Sequence, residues 1–271
     1  MSSQNVRISH HGEITLVQLH RPEVRNAVDT ETAQALHAAF IAFDNDPTAK
    51  VAVFHGVNGH FCAGWDLQTG AKLMQLSPDT AKDIISKLDF LPTQVQPPGP
   101  MGPTRLLLSK PVIAAVEGAA VAGGMELALW CDLRVMAENA YFGVYCRRFG
   151  VPLIDGGTIR LPRLIGLGRA MDLILTGRHV NALEAQQMGL CNRVVPEGQA
   201  LEVAIALAEQ LAKFPQATMR ADRMSAYEQH DLPLPDALHQ EWQRGKRCIS
   251  DGLQGASRFA AGEGKHGKFD N

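Results

Sequence analysis

Two glycine-bearing turns, FCAGWDL at residues 61–67 and VAGGMEL at residues 121–127, each follow an apolar strand-like run and each open onto a helical pattern. Glycine at a strand-to-helix turn lets a ligand approach the main chain, and the first helical turn offers N–H groups that have no internal partner. Two such turns side by side can polarise one carbonyl oxygen, as an oxyanion hole does. Close helix–strand packing explains each glycine equally well when it is taken alone. Glu126 follows Gly123 by one helical turn, so its carboxylate can lie over the carbons beside a carbonyl held there. Such a group accepts and returns a proton, best when burial raises its pKa toward neutrality. An ion pair with Arg147 or Arg148 is the structural alternative. Asp155 stands just before Gly156 and Gly157, where it can serve as a helix N-cap.

Other chemistries lack their residues. Neither turn is a GxGxxG, and the chain contains no GxxxxGK[ST] loop and no GxSxG elbow, so dinucleotide binding, P-loop binding and a serine-hydrolase nucleophile have no support. The five cysteines, Cys62, Cys131, Cys146, Cys191 and Cys248, are scattered without metal-binding spacing, which argues against a disulfide framework or a zinc site. His55 and His60 flank the first glycine turn and read as satisfied structural side chains.

Positioning these groups requires an α/β scaffold. Residues 14–19, 51–55, 112–116 and 132–136 read as strands. Residues 30–43 read as a helix that buries Leu36, Ala39, Phe40 and Phe43 behind an Asp29 N-cap. Residues 125–129 suit a helix, and residues 201–214 form another that stops before Pro215. No fixed-period repeat is evident. Residues 69–108 differ in character: a polar helical stretch, SPDTAKDIISKLDF, gives way to PTQVQPPGPMGPTR, and the whole segment reads as a lid rather than a linker.

In a chain of 271 residues, 26 Lys and Arg against 28 Asp and Glu leave a net charge of −2, so nonspecific nucleic-acid binding is not expected. Glu117 and Glu126 interrupt the longest apolar stretch, so no segment reaches the roughly 18 residues of a membrane span. The opening MSSQNVRISHHGE has no apolar targeting core, and a cytoplasmic protein is expected.

The run IAAVEGAAVAGGMELALWCDL at residues 113–133 resembles the signature of the enoyl-CoA hydratase/isomerase (crotonase) superfamily throughout its length. HRPEVRNAV, FCAGWDL, GGTIRLPRLIG and LTGRHVNALEAQQMGLCNRVV are similar to that family in the same order, and residues 69–108 fall in its variable region. The resemblance implies an α/β fold of repeated ββα turns, a crotonase-like superhelix. Residues 1–200 would form the core with the acyl-CoA site, and residues 201–271 a C-terminal helical oligomerisation region. It further implies a homotrimer or hexamer, an acyl-CoA thioester as substrate, and no cofactor beyond the CoA that is part of that substrate.

Matched position by position, the backbone N–H groups of Trp65 and Gly123 become the oxyanion donors, and the Trp65 side chain stands where many relatives carry a small residue and would line the acyl pocket. Arg25, Ala63 and Asp66 fall among the CoA-binding positions. Glu126 matches one of the two hydratase glutamates, but Cys146 occupies the place of the second, and a thiol of ordinary pKa is a poor substitute for a carboxylic acid. Asp155 lies nine residues further on, close to where some isomerases place a catalytic aspartate but one position out of register. Gln68 stands where the family often has a lysine, removing one phosphate contact. Asp132 is expected to tie turns together. Phe259, Lys265 and Lys268 either reach the CoA of a neighbouring subunit or form a solvated basic end.

Hydration of an enoyl-CoA is the leading expectation, with Glu126 activating water. Double-bond isomerisation through Asp155 is the runner-up. A third reading, from another class, is a non-catalytic CoA-binding or scaffold member; some relatives also bind RNA.

Overall fold

The computed structural model describes residues 4–264. It divides the chain into two compact units, one ending at Ala208 and the other beginning at Glu209. In the first, β1 (Val6–His11), β2 (Ile14–Leu19), α1 (Thr30–Asn45) and β3 (Val51–Gly56) lead to α2 (Leu67–Leu73) and α3 (Pro78–Ser86). There follow β4 (Val112–Val116), β5 (Ala119–Val121), α4 (Gly123–Trp130), β6 (Leu133–Ala137), β7 (Tyr141–Gly143) and α5 (Gly157–Ile165). The unit continues with α6 (Leu167–Thr176), β8 (His179–Asn181), α7 (Ala182–Met188), β9 (Arg193–Val195) and α8 (Ala200–Lys213), inside which the division falls.

A six-stranded sheet runs β1-β2-β3-β4-β6-β9, antiparallel only between β1 and β2. A smaller sheet orders β5-β7-β8, with β5 and β7 parallel. Two strands in different sheets followed by a helix recur as β4–β5–α4 and β6–β7–α5. An earlier unit, β3 to α2, repeats the path with its second strand reduced to a single parallel bridge, Cys62 to Ala120. This stacking of ββα turns sets the two glycine turns next to each other.

Parallel strands covered on both faces are apolar throughout, and β3 and β4 are buried at every residue. Helix α1 has the expected Asp29 cap, whose side chain accepts from Thr32 N at 2.8 Å, and it buries Leu36, Ala39, Phe40 and Phe43. The Phe40 ring meets Phe54 and Trp130 edge-on, with centroids 5.3 and 4.7 Å away. Burying one such ring stabilises the fold by about 1.5–3 kcal/mol. Edge strand β1 was not among the expected strands, because only Val6 of its six residues is buried and no alternation shows.

In the second unit, α9 (Gln216–Glu228), α10 (Leu234–Gly245) and α11 (Ile249–Ala260) follow the end of α8. Arg244 grips the Glu228 carboxylate with both Nε (2.9 Å) and Nη2, and Gln240 joins them, tying α9 to α10. No helix among the described residues is long and apolar enough to cross a membrane. Cys62, Cys131, Cys146 and Cys191 are buried free thiols, and Cys248 is half-buried.

Candidate active site

Val28 pairs with the first glycine turn as a parallel bridge. Its N–H donates to Gly64 O (2.8 Å), and its carbonyl accepts from Asp66 N (2.9 Å). With residues 64 and 66 turned toward Val28, the N–H of Trp65 between them points the other way. In the second turn Ala122 sits at φ +53°, ψ −125°, a conformation costly for a residue with a side chain, and Gly123 behind it starts α4 with no helical acceptor for its N–H. Among the described residues neither the Trp65 nor the Gly123 N–H has a hydrogen-bond partner. The turns touch: a Cβ on Gly64 would lie 3.1 Å from Gly123 N, and one on Gly124 would collide with Cys62 O.

Both unpaired donors face a cavity of about 730 Å³ that also takes in Ala63, Glu126, Cys146 and Asp155. The site residues expected from the sequence thus converge, with two exceptions. The Asp66 carboxylate is engaged structurally, since it caps α2 through Gln68 N (3.0 Å) and pairs with Arg21 (3.1 Å), and it does not line the cavity. Arg25 is exposed and lies off the cavity wall, where its carbonyl accepts from Ala63 N at 3.0 Å. The Trp65 ring lies against α2, where a Cβ on Gly70 would approach it to 2.6 Å.

Glu126 makes no ion pair with Arg147 or Arg148. Arg147 instead donates to Ile174 O (3.3 Å), and Arg148 stacks over Tyr145. Glu126 Oε1 accepts two main-chain N–H groups, from Asp155 (2.9 Å) and Gly157 (2.8 Å), while Oε2 has no partner among the described residues. Gly157 must be glycine here, because a Cβ would stand 2.9 Å from that carboxylate. Burial, reinforced by the charge of Asp155, pushes the Glu126 carboxyl up to about 7 against the opposing N–H bonds.

Asp155 is equally enclosed. Its side chain does not cap α5, whose N-cap is Gly156; its Oδ1 accepts from Met101 N (3.0 Å) and from the Thr104 hydroxyl. Burial raises its pKa, opposed by Thr104, Met101, Arg105 and Arg160. Cys146 is buried on the same wall, and burial together with the Glu126 charge raises its thiol, so it stays protonated.

Met101 and Thr104 were absent from the sequence-based candidates. They lie in the stretch GPMGPT, which folds into a closed turn: Gly99 and Gly102 exchange N–H···O bonds of 2.8 Å in both directions. The rest of the segment read as a lid forms cavity wall through α2, α3 and this turn, with Ile85 and Leu88 among the lining residues. Arg105 fastens it by donating to Leu88 O (2.5 Å) and Pro98 O (2.9 Å). His55 and His60 are structural, bonded to Ala115 O and Ala119 N. Asp132 ties its turn to β4 through Val112 N (2.7 Å). Phe259 is exposed, and Lys265 and Lys268 lie outside the described residues.

The family model described as enoyl-CoA hydratase/isomerase matches residues 9–261. Enoyl-CoA hydratase EchA19 of Mycobacterium tuberculosis is 34% identical over 268 residues, 96% of this chain and 94% of that one. Carnitinyl-CoA dehydratase of Salmonella typhi is 38% identical over 211 residues, 77% of this chain and 75% of that one. The crystal structure of enoyl-CoA hydratase EchA1 from Mycobacterium marinum superposes with a TM-score of 0.83 at 30% identity, covering 96% of each chain. With the paired donor turns and a matching fold along nearly its whole length, the chain belongs to the enoyl-CoA hydratase/isomerase family.

Proposed function

We propose that the protein is an enoyl-CoA hydratase, adding water across the 2,3 double bond of an enoyl-CoA thioester. One observation carries the reading: two main-chain donors share a cavity with two buried carboxyl groups, and among the described residues neither donor, nor one oxygen of each carboxyl, has a hydrogen-bond partner. The Trp65 and Gly123 N–H groups receive the thioester oxygen and stabilise the enolate that forms as oxygen adds at Cβ. Burial raises both carboxyls, Glu126 to about 7 with the Asp155 charge adding to the rise, so that one can give up a proton while the other accepts one. The ionised member takes a proton from water as the C–O bond forms, and the protonated member delivers one to Cα. Asp155 thereby supplies the second carboxyl that Cys146 does not. Main chain at Ala63 and the exposed Arg25 serve the CoA end, and CoA enters only as part of the substrate.

Asp155 also favours isomerisation as a second reading, since a carboxylate over the acyl chain can shuttle a proton. Hydratase-named relatives weigh toward hydration. Incubating the purified protein with a panel of 2-enoyl-CoA thioesters and identifying products separates the readings. Formation of 3-hydroxyacyl-CoA supports hydration, 3-enoyl-CoA supports isomerisation, and binding without turnover supports a scaffold.

The assembly we propose is a trimer or hexamer. Leu167, Met171 and Leu175 form an exposed apolar stripe on α6, and Leu234, Leu238 and Trp242 form one on α10, each in its own unit. Light scattering tests this, and a monomer at micromolar concentration contradicts it. A cytoplasmic location fits the buried free thiols.

A further inference from the structure

The Asp155 carboxyl is gripped at one oxygen only. Oδ1 accepts both the Met101 N–H (3.0 Å) and the Thr104 hydroxyl, whereas Oδ2 has no hydrogen-bond partner among the described residues. An oxygen that already accepts two hydrogen bonds is a poor place for a proton, so neutral Asp155 carries its proton on Oδ2, the oxygen left for the cavity. Both donors come from one turn, more than fifty residues away in sequence, and glycine makes the fit possible. A Cβ on Gly99 would collide with Thr104 Oγ1 and lie 2.9 Å from Asp155 Oδ1, and Gly102 takes φ +91° against the Ala33 carbonyl. Thr104 itself is fully enclosed, at 2% exposure. Arg160 of α5 holds the two partners' backbones together, donating to Asp155 O (3.0 Å) and Thr104 O (2.6 Å).

We propose that Thr104 is a positioning residue for proton transfer: its hydroxyl orients Asp155 so that Oδ2 faces the substrate, and supports the ionised carboxylate. This inference rests on the reading of Glu126 and Asp155 as the proton-transfer pair. The charged groups facing Asp155 are Glu126 from α4, Arg105 from the turn beside Thr104, and Arg160 from α5. Among the described residues Thr104 is the one side-chain hydroxyl that donates to Asp155. The turn that builds the cavity wall therefore also sets the geometry of a reacting carboxyl.

Thr104→Val keeps the shape and removes the donor. The singly protonated pair is the working form, so turnover falls on the acid side when Asp155 takes up a proton and on the alkaline side when Glu126 loses one. Without the hydroxyl the Asp155 carboxylate is less supported, and the acid limb of the kcat–pH profile moves up by about one pH unit while the alkaline limb stays. Thr104→Ser returns the acid limb toward its original position. Asp155→Asn abolishes that limb, and adding Thr104→Val to it produces no further shift. Circular dichroism melting establishes that each variant is folded, and isotope-edited infrared titration of the aspartate carboxyls reads Asp155 without turnover. An acid limb and a carboxyl titration both unmoved in Thr104→Val, a shift that Ser does not reverse, or a shift that persists in the Asp155→Asn background overturns the proposal. No turnover by the unaltered protein, with the carboxyl titration still shifted in Thr104→Val, overturns the hydratase reading alone.

Discussion

The main-chain N–H of Asp155 donates to Oε1 of Glu126 at 2.9 Å, so the two carboxyl-bearing residues, both of which line the cavity, are joined directly by backbone. Gly157, the first residue of α5, donates to the same Oε1, which places Glu126 at the positive end of that helix. The site therefore holds an acidic pair in a mostly apolar cavity, and the Glu126 protonation state is set chiefly by burial, with the Arg160 charge among the influences that oppose it.

That burial makes stability depend on pH. The Glu126 carboxyl, ordinarily near 4.5, is raised to about 7 in the folded chain. A raised folded-state pKa leaves its contribution intact below the unfolded value and removes it as pH climbs through about 7, at a cost of about 3 kcal/mol. Glu126→Gln keeps an oxygen to accept both N–H bonds and carries no charge. Its melting temperature is expected to exceed that of the unaltered protein at pH 8 and to match it at pH 4.5, as differential scanning calorimetry reads directly. Equal differences at both pH values would contradict the burial argument.

Cys146 occupies the wall beside Glu126 as a protonated, buried thiol, and no step is assigned to it. Cys146→Ala should leave kcat/KM within a few fold, with a stability loss of about 1 kcal/mol for the shortened side chain. A drop of more than about a hundredfold in steady-state kinetics would make the thiol a participant.

Gly123 is both a donor and a close contact. A Cβ there would stand 2.7 Å from Met101 Sδ, and Met101 N holds Asp155. Gly123→Ala keeps the main-chain N–H, but relieving the clash displaces it, and kcat should fall by up to about 10²–10³, the scale of a lost oxyanion donor. Binding of a saturated acyl-CoA, measured by calorimetry, is expected to weaken far less. An equal loss in both would make Gly123 a packing residue.

Much of this site was legible in the sequence because its main parts are local. The glycine turns, Gly123 to Glu126 within one helical turn, and the apolar runs of β3 and β4 are all short-range patterns. What the sequence hid is long-range. The donors to Asp155 come from a Pro- and Gly-rich stretch whose order rests on the mutual Gly99–Gly102 bonds, and nothing in composition distinguishes that turn from a loose loop. The ββα repetition was implied by the family resemblance alone; it leaves no fixed period in the sequence because its second strand shrinks to one bridge residue, Cys62, in the first unit. The engagement of the Asp66 carboxylate was hidden in the same way, because Arg21, its ion-pair partner, lies 45 residues away.

The most direct test of the central claim is steady-state turnover of the best 2-enoyl-CoA substrate by the unaltered protein and by Glu126→Gln, with acyl-CoA affinity measured in parallel. The account predicts 3-hydroxyacyl-CoA as product and a kcat lower by about 10²–10⁴ in the variant, with affinity unchanged. Full turnover by Glu126→Gln, or a loss that lies entirely in binding, would contradict it.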